Sequence, residues 1–98
     1  MSAWDRHLSE HRRSAILRLL NAAPGYAGNE SMLHEAVWQL GVTSTRDQIR
    51  SELTWLAEQG LVKVEMVVDF MVARITQRGS EVAKGLVEHP GVKRPSPE

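Results

Sequence analysis

Cysteine is absent from this chain of 98 residues, so neither a disulfide framework nor a cysteine-ligated zinc site can hold it together. Net charge is absent too: twelve Lys and Arg balance twelve Asp and Glu. Any affinity for a polyanion must therefore come from a local basic patch, because the chain has no bulk basic excess to release counterions. No run approaches the ~18 consecutive apolar residues that a membrane-spanning helix needs, and the opening Met1–His7 lacks the apolar core of a signal peptide. The expectation is a cytoplasmic protein with no membrane partner. Phosphate-binding glycine loops and nucleophile elbows are likewise missing, so no enzymatic activity and no cofactor are expected.

What is present is a set of amphipathic segments. Hydrophobic residues make up 42% of the chain, and its length suits one core. Ser2 and Asp5 have capping-box spacing, so a helix can begin near Ala3; its stronger part runs from Ser9 to Asn21. Leu8, Ala15, Ile16, Leu19 and Leu20 form its apolar face, and Pro24-Gly25 stops it. Tyr26-Ala27-Gly28 reads as a short extended piece. Asn29 caps a second helix with Glu30 in its first turn, a stripe of Met32, Leu33, Ala36, Val37 and Leu40, and Gly41 as its stop. Ser44 and Asp47 repeat the capping spacing before a third helix from Thr45 to about Gln59, whose buried stripe is Ile49, Leu53, Leu56 and Ala57.

From Leu61 the period changes from helical to two. Val62, Val64 and Met66 alternate with charged residues, and Met71, Ala73 and Ile75 alternate with Val72 and Arg74. That predicts a hairpin reversing at Val67–Phe70. Thr76 caps a fourth helix over about Gln77–Val87. Residues 88–98, with three prolines, read as an extended or disordered tail after a domain at 1–87.

The stretch from Thr45 through Val62, followed by Ile75-Thr76-Gln77-Arg78-Gly79, resembles the recognition helix, wing strand and wing exit of the winged-helix family. The resemblance implies a mostly α domain with a three-helix core, a two-stranded wing and a C-terminal helix. His11–Leu20, Ser44–Val62 and the Pro90–Pro97 ending are further similar to a small winged-helix protein of Mu-like bacteriophages and prophages, a group often labelled as regulators of the arsenic-repressor type. The cysteine motif of metal sensors of that type is missing, which removes metal sensing by that route.

By that resemblance the third helix would enter the major groove of duplex DNA. Arg46, Gln48, Arg50, Ser51 and Thr54 lie off its buried stripe, and Arg and Gln can pair bidentately with guanine and adenine. Ser44, Thr45 and Ser51 can bond phosphates, with Arg12, Arg13, Lys63 and Arg74 adding charge. A homodimer would double such contacts. Asp47 and Glu52 interrupt the positive charge, and the hairpin tip is apolar, so a second reading stays open: a protein-interaction module, accessory to phage DNA packaging or assembly, that captures a phage protein through Trp38, Trp55, Val68 and Phe70. Trp38 and Trp55 can instead cover the core rim, and Val67 or Phe70 can fold back onto the core. His7 and His11 share a helix side but lack a third metal ligand, and Glu30, Glu35 and Glu58 read as solvated helix-face charges.

Overall fold

A computed structural model describes residues 2–95. Each helix starts where a short polar side chain can accept from a free backbone N–H. Ser2 Oγ accepts from Asp5 N and opens α1, Ala3–Ala22. Asn29 Oδ1 accepts from Met32 N and opens α2, Glu30–Gln39. The third start, at α3 (Arg46–Glu58), is one residue later than predicted: Thr45, not Ser44, is the cap. Its Oγ1 accepts from Gln48 N while Gln48 Oε1 accepts from Thr45 N, a complete capping box. Thr76 Oγ1 accepts from Gly79 N and opens α4, Gln77–Ala83.

Helix α4 stops four residues short of its predicted end at Val87. Gly85 takes a left-handed φ of 77°, and the Leu86 N–H returns to the Glu81 carbonyl, which closes the helix and leaves Leu86 exposed. Gly79 within α4 is required by close approach: a Cβ there would lie 2.0 Å from the Leu61 carbonyl oxygen.

The strands are β1, Ala27–Asn29, β2, Val62–Val67, and β3, Phe70–Ile75. They form one antiparallel sheet in the order β1-β3-β2, so the expected two-stranded wing is a three-stranded sheet. Segment β1 is too short to show a period, and its partner lies more than forty residues away, with Ala27 opposite Arg74 and Asn29 opposite Val72. The β2–β3 register runs from Val62 opposite Ile75 to Val67 opposite Phe70, leaving Val68-Asp69 as a two-residue turn.

One core joins these layers. Ile16, Leu17 and Leu20 of α1 meet Leu33 and Val37 of α2, Ile49, Leu53 and Leu56 of α3, and Leu61, Val62 and Ala73 from the sheet side. Each such leucine contributes about 1.5–3 kcal/mol on burial. Leu17 joins this core although it was not in the predicted stripe, while Met32 and Leu40, predicted inside, are at least half exposed. The arrangement is mixed α/β, four α-helices with a small antiparallel sheet among the described residues, and is compatible with a winged helix. No described helix is long and apolar enough to cross a membrane.

Residues 88–95 have neither helix nor strand, but they pack. Val92 lies against the core, the Lys93 N–H donates to the Glu10 carbonyl, and Gly91 sits against the Trp55 ring.

Candidate functional site

The capping box fixes the start of α3, and the buried Ile49, Leu53 and Leu56 fix its rotation. Asp47, Ser51, Thr54 and Glu58, at helical spacing, are then its most outward line. Arg46 and Arg50, one turn apart, stand on the flank of that line nearest the hairpin, each side chain a little under half exposed.

Glu30 holds both arginines. The first-turn acid of α2 was predicted to be solvated; it is only 1% exposed. Its Oε2 lies 3.4 Å from Arg46 Nε and 3.4 Å from Arg50 Nε, and its Oε1 accepts from the Met71 N–H of β3 at 2.7 Å. One carboxylate therefore ties α2, α3 and the hairpin together. Sequence reasoning could not find it, because its partners lie 16 to 41 positions away and its only local signal was a place at a helix N-terminus. Both arginines meet the carboxylate through Nε. Among the described residues, their terminal nitrogens have one hydrogen-bond partner, the Met66 sulfur at 3.9 Å from Arg50 Nη2. The Arg46 guanidinium also lies 5.0 Å from the Phe70 ring centroid.

The remaining candidates separate. Thr45 and Gln48 are exposed but engaged with each other, which leaves the Gln48 amide NH2 as its free donor. Thr54 Oγ1 donates back to the Arg50 carbonyl, and Ser51 is exposed. Ser44 is buried and is not available to a phosphate: its Oγ accepts from Arg12 Nε at 2.6 Å and donates to the Val42 carbonyl. Arg12 and Arg13 are likewise engaged within the molecule. Both pair with Glu52, at 3.2 Å and 2.9 Å, so these charges are spent inside the molecule. Glu52 thus faces α1 and does not interrupt the outward face of α3. Lys63 and Arg74 are cross-strand partners on the sheet face turned from the core, apart from Arg46 and Arg50, and Arg74 Nη1 donates to the Gly25 carbonyl at 2.7 Å.

The aromatic and tip residues also differ among themselves. Trp55 is half-buried by the chain itself: the Arg13 guanidinium lies 3.9 Å from its ring centroid and His89 meets it edge-on. Trp38 is 53% exposed, with the His34 ring edge-on beside it; His34 Nε2 donates to the Ser44 carbonyl, which assigns the proton to that nitrogen. At the hairpin tip Val68 is 87% exposed, and Val67 and Phe70 are partly so. Val67 and Phe70 are not folded into the core. An open groove of about 930 Å³ lies between the first turns of α1 and the outer side of α3, lined by Leu8, Ser9, Ser51, Thr54, Trp55 and Glu58 among others. The His7 and His11 rings are 4.5 Å apart, and no cluster of three or more potential metal ligands occurs among the described residues.

The chain is 44% identical over 90 residues to protein gp26 of Escherichia phage Mu, which covers 92% of this chain and 93% of the phage protein. It is 42% identical over 72 residues to an uncharacterized protein of Haemophilus influenzae, covering 72% of this chain and 70% of that one. No protein-family model matches it. No solved structure matches it.

Proposed function

The chain belongs to the family of the phage Mu protein gp26, and from there we propose that it is a non-enzymatic phage-type winged-helix protein that binds duplex DNA as a homodimer. Helix α3 reads the major groove and the β2–β3 hairpin serves as the wing. One observation carries this reading: Arg46 and Arg50 stand on the first half of α3 with the Nε of each 3.4 Å from Glu30 Oε2 and with each side chain a little under half exposed. A guanidinium fork matches the O6 and N7 acceptors of guanine. Asp47 beside them can accept from cytosine N4, and the free amide of Gln48 adds a donor. Recognition helices contact base edges with their N-terminal residues, which is where these four lie.

The charge around this face is nearly balanced, since Asp47, Glu58 and Glu30 accompany the two arginines. Few phosphates can then be neutralised by one copy, and two copies on adjacent half-sites supply the missing contacts. The test is binding to random-sequence duplex over a salt series, for the natural protein and an Arg46→Ala/Arg50→Ala variant. Affinity should fall with salt and fall further in the variant. A natural protein that binds no duplex at low salt would overturn the reading.

A specific observation favours a second reading, capture of a phage protein. Val68 stands at the tip with its side chain in water, next to Val67 and Phe70. In that case Val68→Ser abolishes partner binding and leaves duplex binding unchanged.

A further inference from the structure

We infer that Glu30 is a positioning residue that directs Arg46 and Arg50 toward base edges and restrains their use as phosphate clamps, so that it sets sequence specificity at the expense of bulk affinity; this rests on the DNA-binding reading. A guanidinium offers five N–H donors in a rigid fork. Glu30 meets the Nε side of both arginines with one oxygen, 3.4 Å from each, which leaves the terminal nitrogens as the edge for a ligand; on the hairpin side Arg50 Nη2 lies 3.9 Å from the Met66 sulfur and the Arg46 guanidinium 5.0 Å from the Phe70 ring centroid. An arginine without such a brace sweeps many rotamers and meets phosphates, which ask for charge and little orientation. A braced one presents a fixed plane, as a bidentate contact to guanine requires.

Charge supports the same conclusion. Glu30 is buried, so its carboxylate remains beside the arginines and is not screened by water. Two guanidiniums and one carboxylate present a net single positive charge to an approaching backbone. The second carboxylate oxygen is bound to the Met71 N–H at 2.7 Å, which anchors the brace in β3 and ties the orientation of both forks to the seat of the hairpin. None of the other acids of the α3 face can do this, because Asp47 and Glu58 are exposed.

The discriminating experiment compares the natural protein with Glu30→Gln and with Arg46→Lys/Arg50→Lys. For each, affinity is measured against a duplex selected from a random library by the natural protein and against random duplex, over a salt series, with thermal unfolding to establish that each variant is folded. Glu30→Gln keeps an oxygen for the Met71 N–H and removes the charge. It should bind random duplex several-fold tighter, steepen the log–log salt slope by about one unit and lower the selected-to-random ratio about ten-fold. The double lysine variant keeps the charge and loses the forks, so its ratio should fall with little change in slope. A folded Glu30→Gln protein with the natural slope and ratio overturns the inference alone. If that variant does not fold, an unchanged ratio in the lysine variant overturns it. A natural protein that binds neither duplex overturns the inference together with the reading beneath it.

Discussion

At Glu52 a single carboxylate answers two guanidiniums, Arg12 and Arg13, with Ser44 taking the Nε of Arg12. Such a buried network need not add net stability over an apolar core, but removing its one anion leaves two cations without a counter-ion in a low-dielectric site. Glu52→Ala should therefore cost about 3–5 kcal/mol, read as a lower urea midpoint at constant m-value. A loss below about 1 kcal/mol, the range of an exposed pair, would mean that solvent reaches the arginines. His11 gives a pH dependence of known sign. Burial first, then the neighbouring His7 and Lys93, disfavour its imidazolium and hold its pKa below the ordinary 6.5. The unfolded chain then takes up the proton before the folded one does, so acid favours unfolding: stability falls as pH drops from about 6.5 downward. The melting temperature of the natural protein should fall between pH 7.5 and 5.5, and His11→Gln should fall less. Equal losses would remove His11 as a cause.

At the scale of the element, the hairpin holds an unusual turn. The first of its two turn residues is Val68 at φ 57°, where such turns place Gly or Asn, and a β-branched side chain is strained there. Strain of this kind costs about 1–3 kcal/mol, whereas glycine returns only about 0.5–1 kcal/mol of that as chain entropy. Val68→Gly should stabilise the protein by about 1 kcal/mol, a rise in melting temperature of roughly 4–8 °C for a domain of this size. A lower melting temperature would show that the valine makes stabilising contacts that offset its strain. Because Val68 is the most exposed of the large apolar side chains described, the strain is retained without a packing return inside the molecule, which suits a contact with something outside it.

At the scale of the whole molecule, the C-terminal segment covers the side of the α1–α3 pair. Arg13 Nη1 donates to the Gly91 carbonyl at 2.9 Å, and His89 shares a hydrogen bond with Gln59. Truncation after Val87 removes these contacts and bares Trp55. In a Trp4→Phe/Trp38→Phe background, which silences the two exposed tryptophans, the truncated protein should melt at a lower temperature and emit at longer wavelength. An unchanged emission maximum would mean that residues 88–95 do not cover Trp55 in solution.

The sequence by itself determined the order of helices, most of their caps and stops, the hairpin and most of the core stripe, because these depend on neighbours within a turn of helix or a pair of strand positions. Asn29, Thr76 and the Leu53–Leu56 stripe were legible for that reason. It also placed Arg46 and Arg50 off the buried face. Only the tertiary structure decided what those charges meet. Strand β1 became a strand because β3 lies beside it, and Arg12, Arg13 and Ser44 were withdrawn from the surface by a carboxylate on another helix. Glu30 was likewise turned from a solvated helix-start acid into the brace of two arginines. Charge pairing across 16 to 40 positions leaves no period in the chain, since a carboxylate and a guanidinium attract through space and not along the sequence.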